Sequence, residues 1–263
     1  MRYVMSVVAV LFVFVNFAHA EGGLKKRKPL PHEFGRVVIG NFSERAGLSP
    51  VVFDHWLHRS KYTCRVCHVD IGFGMSAGST KIRAADNGKG YYCGTCHNGK
   101  SKYDKKIIFE ACSGKDSQKC GICHSTARNP LREQAFYKFA ENMPKERFGN
   151  GVNWQLAEEK GLINPISHLE GISITRNTLA VQKDFSLDAK IEGMPAIIFS
   201  HSKHTVWNGC ELCHPDIFLG VKKGSTKYSM IDLFQGKYCG VCHEKVAFPL
   251  TDCQRCHVGD MQK

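Results

Sequence analysis

Phe53-Asp54-His55-Trp56-Leu57-His58, then Cys64-Arg65-Val66-Cys67-His68, then Cys93-Gly94-Thr95-Cys96-His97: this stretch decides the reading of the chain. Two Cys-x-x-Cys-His pentapeptides follow a pair of histidines that neither pentapeptide uses. The same order returns 146 positions later, from Phe199, with His201, His204, Cys210/Cys213/His214 and Cys239/Cys242/His243. A third pentapeptide completes each copy, Cys120/Cys123/His124 in the first and Cys253/Cys256/His257 in the second. Twelve of the 13 cysteines therefore fall into six identical sets.

The spacing carries a specific chemistry. Residues i, i+3 and i+4 of a helical turn share a face, so both thiols and the histidine of each set reach one object from one side. Two thiols adding to the vinyl groups of a haem, with the next histidine on its iron, need that arrangement. A single Cys-x-x-Cys also occurs in thioredoxin-like and zinc sites, and cysteines in an exported chain pair as disulfides. Neither alternative requires a histidine after every second cysteine. Six covalently attached haem c groups are expected.

Met1 to Ala20 has a positive start, a short apolar core and Ala18-His19-Ala20 at its end, so residues 1–20 are expected to be a secretory signal peptide. No later segment is apolar enough to cross a bilayer, so the chain is not expected to be an integral membrane protein. A periplasmic or extracellular location follows from this reading. The net charge of +12 over 263 residues invites a nucleic-acid reading. Each ferric haem c brings a net −1, however, so the lysines largely balance cofactor, and export makes nucleic acid an unsuitable partner.

Between His68–His97 and His214–His243, 15 of 30 positions are identical without a gap, which marks an internal duplication. The expected organisation is a triheme module over 21–125, a linker with helices over 126–190 and a second triheme module over 191–263. The third sites break strict repetition, because the first copy carries an insertion that includes Cys112, the leftover thiol, expected to be a small buried residue. In the linker, Phe136, Phe139 and Met143 at helical spacing predict a helix over 132–143 closed by Pro144. A second helix is predicted over 154–160 ending at Gly161, and a small hairpin from 172–175 and 180–182.

Each haem iron has a second axial position. His55/His58 and His201/His204 stand one helical turn apart, six residues before the next attachment site in both copies, and are candidates for four of these positions. His32 and His168 are candidates for the last two, with Met75 and Met230 as rivals.

Phe-x-His-x-x-His, Cys-x-x-Cys-His, Gly-x-Tyr-Cys-Gly-x-Cys-His and a third site together resemble the triheme cytochromes of the c-seven type, relatives of class III cytochrome c. The resemblance covers 53–124 and 199–257. It implies closely packed haems with mostly two histidine ligands in a periplasmic electron carrier that meets redox partner proteins of the inner or outer membrane. Lys89 and Gln235 replace the histidine that those proteins carry four residues before the second pentapeptide. The expected fold is a multihaem cytochrome c, mostly irregular, with short α-helices, a minor hairpin and haem-dominated cores in two tandem triheme modules. No catalytic residue is expected. A reductase of a small oxyanion with one open haem, or a fixed subunit of an outer-membrane conduit, are the alternatives.

Overall fold

The first histidine pair is launched from a hairpin. β1 (Arg36–Ile39) runs antiparallel to β2 (Val51–Asp54), with Val37 opposite Phe53 and Arg36 opposite Asp54. β-Branched and aromatic residues make up three of the four positions of each strand, as a half-buried pleated surface favours. The chain passes directly into α1 (His55–Arg59), which carries both histidines and buries Trp56. The computed structural model describes residues 27–112, 119–126, 128–175, 183–189, 191–220 and 222–258, so the expected signal peptide lies outside the described residues.

A π-helical turn, Val66–Asp70, holds Cys67 and His68. α2 (Ala84–Gly88) follows, with Asp86 accepting from the Arg83 N–H at its start (2.9 Å). The second attachment site lies on a 3-10 turn, Tyr92–Thr95. β3 (Lys102–Tyr103) and β4 (Lys106–Ile107) make a two-residue ladder, and the third site is on α3 (Cys120–Cys123).

The middle of the chain does more than connect. α4 (Pro130–Glu141) starts at Asn129, whose side chain accepts from the N–H groups of Leu131 (3.0 Å) and Arg132 (3.4 Å). α5 (Trp154–Glu159) is capped by Asn153 and stops before Gly161, which takes the left-handed conformation (φ +66°) that favours glycine. Both helices fall within two residues of their sequence-predicted positions. Together they build the main apolar core, in which Trp56, Phe136, Val152, Trp154, Ala157 and Ile163 are buried. The Trp56 ring meets Phe136 edge-on at 5.3 Å, and Trp207 from the second half packs against the same cluster. Buried Asp54 pins the first half to α4: it accepts from Arg36 Nε (2.7 Å) and Arg132 Nη1 (2.9 Å), and Arg132 also donates to the Val52 and Ile122 carbonyls.

The second copy rebuilds the first. β5 (Phe185–Leu187) pairs with β6 (Ile197–Phe199), and α6 (His201–Asn208) follows. α7 (Met230–Phe234) and the 3-10 turn Tyr238–Val241 reproduce α2 and Tyr92–Thr95 at the same offset of 146. Among the described residues no helix is long and apolar enough to cross a membrane.

Two expectations are corrected. Residues 172–173 form a turn and bend and 174–175 are irregular, so none of 172–175 is a strand. Their polar groups are taken by the first attachment segment instead: the Ser173 hydroxyl donates to Asp70 (2.7 Å) and Arg65 donates to the Ile174 carbonyl (3.2 Å). Residues 180–182 lie outside the described residues. Cys112 is exposed rather than buried, on a left-handed turn (φ +58°) with Asn87 Nδ2 3.5 Å from its sulfur.

Candidate haem sites

All 13 cysteines are free thiols, so the disulfide alternative has no support in the structure. Among the described residues no three of His, Cys, Asp or Glu converge as a bare metal-ion cage requires. The thiols border a continuous cavity of about 3630 Å³ that includes every pentapeptide cysteine except Cys120. Ordinary ligand pockets occupy about 300–1,000 Å³, so this space has room for several large groups.

The histidines around it face one another in pairs. His55 faces His68 with ring centres 6.4 Å apart and planes 5° from parallel. His58 faces His97 at 6.3 Å and 57°, and His204 faces His243 at 6.3 Å and 55°. Two metal–nitrogen bonds of about 2.0–2.1 Å plus the half-widths of two imidazoles span about 6.3 Å. Each pair thus sets one helix histidine opposite one pentapeptide histidine, and α1 faces two pentapeptides from one turn. The fourth register pair, His201 with His214, is not closed to this distance.

Second partners fix which nitrogen is free. Nδ1 meets a backbone carbonyl in His55 (Gly35, 2.6 Å), His68 (Phe73, 2.8 Å), His204 (Ser200, 2.7 Å), His214 (Phe218, 2.7 Å) and His243 (Phe248, 3.0 Å). His58 and His201 make longer contacts of 3.4 Å to Asp54 and Lys183 carbonyls. A carbonyl only accepts, so Nδ1 carries the proton and Nε2 presents its lone pair. Burial also depresses the basicity of His55, His58 and His243, each to a pKa of about 4, which keeps them in the neutral, ligating form.

The third sites dock alike in spite of unequal spacing in sequence. His124 bridges Val51 and donates through Nδ1 to the Ser49 carbonyl (2.7 Å). His257 bridges Ile197 and donates to the Pro195 carbonyl (2.8 Å), the same two positions shifted by 146.

The other axial candidates separate by place. Met75 and Met230 border the cavity, Met230 as the first residue of α7. His32 is buried and is not among the residues bordering the cavity, its Nδ1 3.9 Å from Glu133 and its ring edge-on to Tyr137 at 5.9 Å. His168 is exposed and is not among the residues bordering the cavity.

Thiols of neighbouring attachment sites raise one another's pKa. Burial pushes Cys93 up to about 12, with Cys123 adding to it, and Cys67 up to about 12, with Cys96 adding. Cys242 is likewise pushed up to about 12 by burial and then by Cys64 of the first half, and Cys239 to about 11 by burial and then Cys256. Contact between the halves is direct beside these thiols, where Arg59 of α1 donates to the Val246 carbonyl (2.8 Å).

Sequence reasoning passes over two glycines. A Cβ on Gly94 would run into the Asn87 carbonyl, and one on Gly240 into that of Leu233, 146 positions on. Only glycine lets the second attachment site lie against the end of α2 or α7. The signal is present, as glycine opens both Cys-Gly-x-Cys sets. The carbonyls that orient the histidines leave no such signal, because every residue type supplies one.

Paired imidazoles and thiol sets around one extended cavity, on short helices and small antiparallel sheets, define a multihaem c-type cytochrome. The family model for cytochrome c7 and related cytochrome c matches residues 51–131 and 197–258, and the chain belongs to that family. Among solved structures it is similar to the C-terminal hexaheme fragment of GSU1996, with 25% identity and a TM-score of 0.26 over 88% of this chain and 99% of that one. It is also similar to the N-terminal hexaheme fragment (22% identity, TM-score 0.26, 86% and 99% covered) and to the dodecaheme cytochrome c GSU1996 (23%, 0.27, 86% and 74%). No curated protein matches the chain.

Proposed function

We propose that this chain is an exported hexahaem electron carrier made of two triheme modules, 21–125 and 191–263, preceded by the signal peptide 1–20. The observation that carries the reading is the set of imidazole pairs facing at 6.3–6.4 Å beside the attachment thiols. Bound haem would supply a one-electron couple at each iron. The protein's part is to hold two neutral nitrogen ligands at fixed separation, so that little rearranges with the electron, and to keep water from the axial positions.

Cys123, Cys93, Cys67 and Cys64 of the first half and Cys242, Cys239 and Cys256 of the second border one cavity, and Arg59 joins the halves beside it, which supports a path for electrons across both, a thiol row with the third sites at its ends. The third sites each carry an exposed cysteine, Cys120 and Cys253, as does the first site of the second half with Cys210, so a partner could reach the path at either end and at its middle. The partners on this reading are a redox protein near the inner membrane and another toward the outer one. His201 and His204 serve the second half as His55 and His58 serve the first. Met75 and Met230, which border the cavity, take the positions opposite His124 and His257.

One observation favours a second reading. α2 begins with Ala84 where α7 begins with Met230, so the first half lacks a sulfur at that place. If Met75 does not supply the ligand, one haem is open and the protein is a reductase of a small molecule. Intact mass and a carbon monoxide titration of the reduced protein decide the matter. Six haems and no carbon monoxide adduct are expected. Five or fewer haems would remove the hexahaem reading, and one equivalent of bound carbon monoxide would replace the carrier with the reductase.

A further inference from the structure

Arg59 stands at the meeting point of the halves with an unanswered charge. It follows His58 on α1, and its guanidinium lies 4.7 Å from the Trp154 ring centre and 5.1 Å from that of Trp207. Nη1 donates to the Val246 carbonyl (2.8 Å), across 187 residues of sequence. Nε is buried and has no hydrogen-bond partner. Among the described residues no carboxylate comes within ion-pair distance of it. Glu158, the acid nearest in effect, is engaged by Trp207 Nε1 (2.6 Å), and neighbouring Arg255 is itself paired with Glu146 (2.7 Å).

Two aromatic faces stabilise a cation without using its N–H groups, so the stacking leaves Nε unsatisfied. A buried guanidinium with a free donor is costly unless an anion joins it. Arg59 borders the cavity, and the thiols whose charges act on it most are Cys64 and Cys242, one from each half. The anions that would enter there with the cofactor are propionates, carboxylates whose geometry suits a guanidinium fork. The register partner of Arg59 is Thr205, whose hydroxyl donates to the His201 carbonyl (2.9 Å), so the second half has no equivalent cation at that position.

We propose that Arg59 is a carboxylate-binding residue that takes a haem propionate at the junction of the two halves. The inference rests on haem attachment at Cys64/Cys67 and Cys239/Cys242. Arg59 ties the junction haem to the Trp154–Trp207 stack and sets it at a higher potential than a neutral residue would, because a fixed cation favours the reduced iron.

The test uses the full haem-loaded chain. In its crystal structure a propionate oxygen is expected within about 3.2 Å of Arg59 Nε or Nη2; propionates that all point elsewhere would overturn the proposal, whatever happens to variants. Arg59→Gln, with six haems verified by intact mass, is expected to lower the midpoint potential of at least one haem, and Arg59→Lys to restore most of the loss. Unchanged potentials in a six-haem Arg59→Gln protein would overturn the proposal and leave the carrier reading standing. A wild type without haem at Cys64/Cys67 or Cys239/Cys242 would instead sink the reading on which the proposal rests.

Discussion

The two halves hold one histidine pair alike and fasten it to different surroundings. His58–His97 and His204–His243 share a 6.3 Å spacing and tilts of 57° and 55°. α2 and α7 begin with the same device, an aspartate three residues in that accepts the N–H of the residue before the helix (2.9 and 3.0 Å). Yet Trp56 is buried in the apolar core, while Ser202, in register with it, is exposed. Asp54 grips two arginines, where Ser200 merely caps α6 at 3.4 Å. What repeats is what an iron between two imidazoles demands. What diverges is how each half is fastened to α4 and α5.

The largest effects should fall on that fastening. Trp56→Ala empties the centre of the core and is expected to cost about 3–5 kcal/mol, against less than about 0.5 kcal/mol for Ser202→Ala. Asp54→Asn leaves two arginines facing a neutral partner and should cost about 3 kcal/mol, whereas Ser200→Ala, removing a long cap bond, should cost about 0.5 kcal/mol. Denaturant titration of the haem-loaded variants measures all four. Equal losses at Trp56 and Ser202 would mean that the haems, not α4 and α5, hold the first half. By the same logic a fragment ending at Ser125 is expected to mature poorly, because it deprives Trp56 of Phe136 and Trp154. Extending it through Ser173 should recover three haems by mass.

Ligand substitutions should restore the symmetry. His58→Ala and His204→Ala are each expected to turn one haem from low to high spin, with equal spectral change. An effect in one half alone would show that the shared spacing does not mean shared ligation. The open spacing of His201 and His214 makes His201→Ala the sharper probe, with the same single-haem change expected as for His55→Ala.

Much of this is legible in the residues alone, for a physical reason. Covalent attachment needs fixed residues at fixed spacing, so the six sets and the histidine pairs stand out, as do α4 with its apolar spacing and Pro144 beyond its end, and α5 with its stop at Gly161. The hairpins do not. β1 and β5 are four and three residues long, and their pairing with β2 and β6 comes from the turn toward each histidine helix rather than from alternation. The 172–175 stretch alternates like a strand, but Asp70 and Arg65 claim its hydrogen bonds. Reading 126–190 as a linker leaves out the core, because Trp56 and Trp207 lie outside that range in sequence. Thin periodicity therefore looks like a shortage of core, when the core is assembled from three places.

The smallest effect tests where the halves differ most finely, at the axial position opposite His124 and His257. Met230 opens α7 beside the cavity, and Ala84 opens α2 in its place. Met75 is the sulfur that borders the cavity in the first half, while His32 lies against Glu133 and Tyr137. Met75→Ala and Met230→Ala are therefore each expected to open one haem to a single equivalent of carbon monoxide, and His32→Ala and His168→Ala to leave every haem low-spin. Methionine in place of a second histidine raises the potential of a haem, so these two, at the outer ends of the thiol row, would be the sites where electrons come to rest. Replacement by histidine should lower one potential each and slow exchange with a partner at that end. If His32→Ala opens a haem and Met75→Ala does not, the first half is closed by histidine and the row has a high-potential end on one side only. Electron flow would then have a built-in direction, toward Cys253 and Cys256.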